Sequence, residues 1–347
     1  MIQTNDIRIA HTGPIITPRE LKDLYPLTDS GSENVYRYRS VINDILTGKD
    51  RRMIGIVGPC SIHDRTAALE YAQMLKDYSK KVEDRLFLVM RVYFEKPRTT
   101  IGWRGLITDP HLDGSYDIIE GLKLARKIMT EINDLGLPIG SEVLDPIVPQ
   151  YIADLISWAA IGARTTESQT HRQLASGLSM PIGFKNGTSG DLKLAVDAMA
   201  STCHEHSFIG IDQDGKTCIL TTKGNEQVHM IMRGGRSGPN YYEEFVEDAE
   251  ELFKAAGIEP KIMIDCSHAN SSKDPNKQAR VLRSVIDQRK RGKTSLFGFM
   301  IESNIHEGNQ KIGEDPSELA YGVSITDPCV SWDMTKSMLD SAYQELS

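Results

Sequence analysis

The chain has 347 residues, of which 39% are hydrophobic and 25% charged, a balance that supports a large buried core in one or two domains. Its net charge of -8 argues against nucleic acid as a partner. Five scattered cysteines without a CxxC pair indicate a reducing compartment, and no apolar run approaches the roughly 20 residues of a membrane span. We therefore expect a cytoplasmic protein that does not enter a membrane.

The first part of the chain is predicted to be an extension. Thr17 can cap a helix that has Pro18 at its first position and Glu20 at its third. We predict an edge strand at 7–9, a polar connector at 27–33 and a helix at 35–46. We assign residues 1–50 to an N-terminal extension that serves oligomerisation or regulation, and residues 51–347 to a catalytic domain.

From Met53 onward, short apolar runs rich in β-forming residues alternate with segments of helical periodicity. The eight predicted strands are 53–59, 86–90, 138–141, 159–163, 181–184, 229–232, 261–265 and 296–301. The predicted helices are 65–81, 116–135, 148–159, 170–178, 191–203, 241–256 and 276–291. Such alternation predicts an α/β fold, and eight repeats favour a (β/α)8 TIM barrel over an open doubly wound sheet. No G-x-G-x-x-G follows the first strand, which weakens a dinucleotide-binding alternative.

One insertion interrupts this pattern between the fifth and sixth predicted barrel strands. Residues 208–211 and 217–220 are apolar runs joined by a turn that contains Gly215, as in a β-hairpin. A barrel does not need this hairpin, which we assign to 205–224. We expect it to bind a ligand or to pack against a partner.

Every predicted strand is followed by a polar residue, which in a barrel of this kind would point into the active-site mouth. These residues are Cys60, Arg91, Glu142, Arg164, Lys185, Arg233, His268 and Glu302. Any one of them alone is explained as well by a structural role, but eight in succession are not. Together with Lys96 and Arg98, the basic members would need more than one phosphate or carboxylate to offset their mutual repulsion.

A second group at the strand ends has the donor atoms of a metal site. Cys60, His268 and Glu302, with Asp327 from a later loop, offer a thiolate, an imidazole and two carboxylates. This set suits a divalent first-row transition metal, Mn, Fe, Co or Zn, better than Mg or Ca. The alternative is that Cys60 is a small buried apolar residue and His268 a capping or core histidine.

Several longer motifs resemble the 3-deoxy-D-arabino-heptulosonate-7-phosphate (DAHP) synthases of the type I alpha class. The resemblance covers nearly the whole chain and rests on segments 58–64, 91–100, 161–168, 183–187, 232–235, 264–270 and 324–327, which include Gly-Pro-Cys-Ser-Ile-His-Asp and Lys-Pro-Arg-Thr-Thr. Members condense phosphoenolpyruvate with erythrose 4-phosphate and water and release phosphate, as the first step of the shikimate pathway.

The resemblance also implies a role for each matching residue. The metal ligands would be Cys60, His268, Glu302 and Asp327. Phosphoenolpyruvate would be bound by Arg91, Lys96, Arg164, Lys185 and Arg233, beside the backbone of Gly162 and Ala163, and the sugar phosphate by Arg98 and Thr99. Glu142 would lie near phosphoenolpyruvate and a water molecule, and Lys96 would donate a proton.

The same resemblance implies a homotetramer that is inhibited by an aromatic amino acid. The inhibitor would bind near the hairpin, at Pro149, Gln150, Ser179, Phe208, Gly210 and Leu220, with Asn5 and Asp6 from another subunit. Gly210 leaves room for a phenolic hydroxyl, so we favour tyrosine over phenylalanine as the inhibitor.

Three other readings remain open at this stage. The first is a 3-deoxy-octulosonate 8-phosphate synthase-like enzyme, which would take a five-carbon sugar phosphate. The second is a catalytically silent sensor of aromatic amino acids, and the third is a metal-dependent aldolase that does not use phosphoenolpyruvate. The Lys96-Pro97-Arg98-Thr99 loop and the long N-terminal extension favour the four-carbon substrate.

Overall fold

The computed structural model describes residues 2–98 and 101–346, and its centre is a closed barrel of eight parallel strands. The ten strands in chain order are β1 Met53–Gly58, β2 Leu86–Arg91, β3 Ile139–Val143, β4 Trp158–Ile161, β5 Ile182–Lys185, β6 Ser207–Ile211, β7 Thr217–Thr221, β8 Val228–Met232, β9 Ile262–Asp265 and β10 Leu296–Glu302. The barrel order is β1-β10-β9-β8-β5-β4-β3-β2, and Gly58 pairs with Glu302 where β1 and β10 close the ring. The predicted TIM barrel is confirmed.

Helices follow most of the strands and surround the barrel. They are α1 Pro18–Leu24, α2 Asp29–Leu46, α3 Arg65–Val82, α4 Ile118–Asp134, α5 Pro149–Ile152, α6 Gln169–Ala175, α7 Lys193–Thr202, α8 Glu243–Ala255, α9 Gln278–Lys290 and α10 Trp332–Glu345. The predicted capping box is present, because Thr17 Oγ1 accepts from the backbone N of Glu20 and Glu20 Oε2 accepts from the backbone N of Thr17. Within the described ranges, no helix combines the length and apolar character needed to cross a bilayer.

Two hydrophobic cores hold the barrel together. The larger one fills the space between the strands and the surrounding helices. The smaller one lies inside the barrel, where Ile56, Trp158 and Met300 are almost fully buried. Ile42 on α2 packs against this inner core, so α2 covers one end of the barrel. The functional residues must then gather at the other end.

The inserted hairpin is also confirmed and consists of β6 and β7 in an antiparallel pair. Helix α1 contacts its turn, because Arg19 N donates to Gln213 O at 2.9 Å and Lys22 Nζ donates to Gln213 Oε1 at 2.8 Å. Gln213 Nε2 in turn donates to Gln150 Oε1 at 3.0 Å. The N-terminal segment, the hairpin and α5 therefore form one connected region.

Three local predictions are wrong. Residues 7–9 form no strand, because a turn forms at Asp6, whose φ is 58° and whose carbonyl accepts from Ile9 N. The predicted connector at 27–33 is partly helical, since α2 already begins at Asp29 after Thr28 caps it. The predicted helix at 148–159 is short because Arg39 binds the carbonyls of Ala153 and Ile156, and because β4 then begins at Trp158.

Candidate active site

The carboxyl ends of the barrel strands open into a polar cavity of about 320 Å³, which we call the mouth. A parallel barrel directs the end of every strand to the same face, so residues far apart in sequence meet there. The mouth is lined by Arg91, Lys96, Pro97, Arg98, Ile101, Glu142, Ala163, Arg164, Lys185, Thr188, Arg233, His268, Lys273, Thr326 and Asp327. Most of the residues that we predicted for substrate binding and catalysis are among them.

Buried acidic and carbonyl groups hold the basic side chains in place. Arg91 is 1% exposed and donates through Nη2 to Glu302 Oε1 at 2.8 Å and through Nε to Pro59 O at 3.0 Å. Lys185 Nζ lies 3.4 Å from Glu142 Oε2 and 3.6 Å from Asp265 Oδ2. Because these cations already have fixed partners, they can present their remaining donors to a ligand in a preset geometry.

The four predicted metal ligands lie together at one side of the mouth. Donor atoms of Cys60, Glu302 and Asp327 are all within 4.8 Å of one another. His268 Nε2 lies 3.9 Å from Glu302 Oε1, so the imidazole is adjacent to this group. Cys60 and Glu302 are buried, whereas Asp327 and His268 face the cavity.

Hydrogen bonds to the other ring nitrogen fix the orientation of His268. Ser267 Oγ lies 2.8 Å from His268 Nδ1, and the same hydroxyl donates to Asp265 Oδ1 at 2.6 Å. Asp265 Oδ2 is also 2.9 Å from Nδ1. His268 has a φ of 55°, a conformation rare for this residue type that the surrounding contacts maintain. Nδ1 is thereby occupied and Nε2 is directed at the donor group, as is typical of histidines that bind metals.

The donor chemistry fits a divalent transition metal. A thiolate, an imidazole and two carboxylates together select such a metal over Mg or Ca. Each of the three acidic donors has a cation nearby: Lys96 Nζ is 3.1 Å from Cys60 Sγ, Arg91 pairs with Glu302, and Lys273 Nζ is 3.6 Å from Asp327 Oδ1. The group is therefore not a set of unbalanced buried charges.

The local charges also set the protonation of the mouth residues. Burial raises the pKa of the Cys60 thiol, and the neighbouring Glu302 carboxylate raises it further. Burial is the strongest influence on Lys96 and opposes its charge, but Cys60, Glu302 and Glu142 together outweigh burial and raise the pKa of Lys96. Burial is likewise the strongest influence on Glu142 and opposes its ionisation, yet Lys185, Lys96, Arg91 and His268 together outweigh burial and lower the pKa of Glu142. Lys96 is therefore charged, and Glu142 is a carboxylate.

Two predicted substrate residues differ from the others. Gly162 does not line the mouth, but a Cβ there would lie 2.7 Å from Glu142 Oε1, so its lack of a side chain makes room for Glu142. Thr99 lies outside the described residues.

Sequence reasoning missed the residues that support this site. Asp265 orients His268 and contacts Lys185, and Lys273 pairs with Asp327. The signal for Asp265 was available, since an aspartate that ends the apolar run Ile262–Asp265 is buried against the usual preference. Lys273 left no comparable signal because it follows the strand by several residues and resembles any surface lysine.

A second cavity of about 470 Å³, which we call the hairpin cavity, lies between the hairpin, α5 and the loop after α6. Of the predicted inhibitor residues, Pro149, Gln150, Ser179, Phe208 and Leu220 line it. Gly210 is not among the lining residues, but a Cβ at this position would lie 2.6 Å from Cδ1 of Leu220, which does line the cavity. Asn5 and Asp6 are exposed, and their predicted position across a subunit boundary stays a prediction.

Comparison with known proteins identifies the family. The model of the DAHP synthetase I family matches residues 26–340. A relative from Salmonella typhimurium, named phospho-2-dehydro-3-deoxyheptonate aldolase, Tyr-sensitive, is 51% identical over 343 residues, which cover 99% of this chain and 96% of the relative. A Phe-sensitive relative from Escherichia coli is 48% identical and covers 97% of this chain and 96% of its own length.

A solved structure agrees with these sequence relatives. The phospho-2-dehydro-3-deoxyheptonate aldolase of Francisella tularensis superposes with a TM-score of 0.95 at 49% identity, over 97% of this chain and 98% of the other. With a matching family model over most of its length and relatives of about half-identical sequence, this chain belongs to the DAHP synthetase I family.

Proposed function

We propose that the chain condenses phosphoenolpyruvate with D-erythrose 4-phosphate and water to give 3-deoxy-D-arabino-heptulosonate 7-phosphate and phosphate, the first step of aromatic amino acid biosynthesis. The observation that carries this proposal is the mouth, where seven basic side chains face one cavity beside a thiol, imidazole and carboxylate cluster. Two phosphates and one carboxylate on the substrates match such a concentration of positive charge.

The basic groups divide the mouth between the two substrates. Arg91, Lys185 and Arg233 lie at the ends of their strands, and with Lys96 and Arg164 they would bind phosphoenolpyruvate. Arg98 lies on the loop after β2, where its Nε donates to Trp103 O at 2.8 Å, and it would bind the sugar phosphate together with Thr99. Holding two anions against their repulsion is the largest task of the site.

Cys60, His268, Glu302 and Asp327 would hold one divalent transition metal, which would act as a Lewis acid toward the sugar aldehyde. Lys96 is suited to donate a proton to the aldehyde oxygen as negative charge develops there, because its raised pKa keeps Nζ protonated. Glu142 stays ionised and would orient the water that adds to C2 of phosphoenolpyruvate.

A phosphate-release assay with both substrates, with and without chelator, tests this proposal. We expect release only when phosphoenolpyruvate and erythrose 4-phosphate are both present, and loss of release after chelation that Mn²⁺ or Zn²⁺ restores. The same assay with a five-carbon sugar phosphate in place of erythrose 4-phosphate tests the alternative of an octulosonate synthase-like enzyme, which would release phosphate with that sugar. An absence of phosphate release under all conditions would support the silent sensor instead.

We further propose that tyrosine binding in the hairpin cavity inhibits the enzyme. The Tyr-sensitive name of the Salmonella relative supports tyrosine over phenylalanine, and a side chain at Gly210 would press on Leu220, which lines the cavity. Inhibition assays with each aromatic amino acid decide between them, and inhibition by phenylalanine alone would contradict the proposal. We also expect the protein to be cytoplasmic and to form a homotetramer. Light scattering at working concentrations checks the number of subunits.

A further inference from the structure

Tyr93 has a buried side chain whose hydroxyl has no hydrogen-bond partner in the described part of the chain. It is 1% exposed, and its hydroxyl has no hydrogen bond within the described chain. Tyr93 does not line the mouth but belongs to the inner core of the barrel. A buried donor without an acceptor costs free energy comparable to a lost hydrogen bond, so this position needs a physical explanation.

The neighbours of this phenol are the proposed substrate-binding groups. Arg91 Cζ lies 3.7 Å from the centroid of the Tyr93 ring, and Lys185 Nζ lies 5.8 Å from it. Burial raises the pKa of Tyr93, so the hydroxyl remains a neutral group that can donate and accept. The ring therefore packs against the guanidinium of Arg91, which also donates hydrogen bonds to Pro59 O and Glu302 Oε1.

Arg91, whose guanidinium lies against the Tyr93 ring, also has a nitrogen without a hydrogen bond. Its Nε and Nη2 donate to Pro59 O and Glu302 Oε1, whereas Nη1 is buried and has no hydrogen-bond partner among residues 2–98 and 101–346. Nη1 can only donate and the hydroxyl can do both, so one small molecule with an oxygen would satisfy both groups. Water is the small molecule that can accept from Nη1 and also hydrogen-bond the hydroxyl.

We propose that Tyr93 is a positioning residue for Arg91, and that its hydroxyl and Arg91 Nη1 share one internal water beneath the mouth. The ring fixes the plane of the Arg91 guanidinium, and the water accepts a hydrogen bond from Nη1 and so fixes the position of this nitrogen. Arg91 then meets phosphoenolpyruvate without having to reorient, which lowers the entropic cost of binding. This inference rests on the proposed function in naming phosphoenolpyruvate as the ligand. The presence of the internal water does not depend on that function.

Two variants separate the ring from the hydroxyl. Tyr93→Phe keeps the aromatic surface and loses the water, and we expect it to raise both the KM and the calorimetric dissociation constant for phosphoenolpyruvate by about 5-fold, with kcat and the KM for erythrose 4-phosphate within about 2-fold of wild type. Tyr93→Leu also loses the ring, and we expect an increase of about 30-fold in the same two quantities.

Tyr78→Phe is the matched control, because Tyr78 is also a buried tyrosine but its hydroxyl donates to Asp340 Oδ1 at 2.7 Å, outside the barrel. We expect it to lower the melting temperature without changing phosphoenolpyruvate binding. High-resolution crystal structures of wild type and Tyr93→Phe test the water directly, whatever the reaction is. Wild-type affinity in Tyr93→Phe, or no water at the Tyr93 hydroxyl, would overturn the inference. Failure of the wild type itself to bind phosphoenolpyruvate would instead refute the proposed function.

Discussion

The mouth and the hairpin cavity are both large enough for a small ligand, but their walls are held differently. In the mouth, cations such as Lys185 are fixed by buried carboxylates, and charge determines what can enter. In the hairpin cavity, Lys223 is the one charged residue among the described lining, and the other walls are apolar or neutral. The mouth is therefore built for strong electrostatic selection, and the hairpin cavity for selection by shape.

The largest effect is expected from the loss of a proposed metal donor in the mouth. We expect Cys60→Ala to abolish metal-dependent phosphate release, by about 1000-fold or more, because a soft ligand is removed from the donor set. Elemental analysis of the purified variant checks whether metal is lost in parallel. Cys203→Ala is the control, since Cys203 lies after α7 and away from the mouth. Full activity of Cys60→Ala in chelator-treated buffer would refute the metal role.

Removing a fixed cation should affect both folding and binding. Lys185 is almost fully buried between Glu142 and Asp265, so Lys185→Gln leaves two buried carboxylates without this partner. We expect a loss of about 3 kcal/mol in the free energy of unfolding and no measurable binding of phosphoenolpyruvate. Denaturant titration and calorimetry provide the measurements.

The matched control for Lys185 is Lys193→Gln, because Lys193 pairs with Asp197 on the exposed face of α7. We expect the control to remain close to wild type in both stability and binding. Equal effects of the two substitutions would mean that the buried cation has no special role in the mouth.

Glu95 connects the two regions and gives a pH-dependent test. Its Oε1 accepts from Asp145 N at 3.2 Å, and Asp145 Oδ1 accepts from Ile147 N and Val148 N just before α5, which lines the hairpin cavity. Burial and the nearby Asp145 carboxylate raise the pKa of Glu95 to about 8. The folded protein therefore keeps a proton that the unfolded chain releases, and stability falls as pH rises toward 8.

We expect Glu95→Gln to weaken this decline. Wild type should lose more unfolding free energy than the variant between about pH 5 and about pH 9, because Gln carries no titrating proton. Denaturant titrations at both pH values provide the comparison. Parallel pH profiles for the two proteins would show that Glu95 ionises in the folded state as it does in the unfolded chain.

The smallest effect on catalysis is expected at the hairpin. A side chain at Gly210 would press on Leu220, which lines the hairpin cavity, so Gly210→Ser should reduce the space there. We expect inhibition by tyrosine to weaken about 5-fold while uninhibited turnover stays within about 2-fold of wild type. Inhibition curves with tyrosine and phenylalanine measure both. Unchanged tyrosine inhibition in Gly210→Ser would show that Gly210 does not influence which amino acid binds in the hairpin cavity.

The sequence was sufficient for the barrel because each barrel strand is a short apolar run with a polar residue at or near its carboxyl end. It was also sufficient to predict that Cys60 and Glu302 meet, since a closed parallel barrel directs all strand ends to one face, and the later loop places Asp327 beside them. The sequence did not predict where a helix ends when a residue distant in sequence determines its end. At α5, Arg39 binds two carbonyl groups just beyond the helix. Tyr93 was missed for the same reason, because the contact with Arg91 depends on how the chain bends after β2.

The closure of the barrel between its first and last strands has a consequence for when a metal can be captured. Gly58 and Glu302 become neighbours only when β1 meets β10, and Asp327 follows later still. A polypeptide emerging from the ribosome therefore carries Cys60 for most of its synthesis without the companion donors proposed here. Loading of the proposed metal would therefore wait until translation is nearly complete, and a product truncated before β10 would lack the closed ring as well as Glu302 and Asp327.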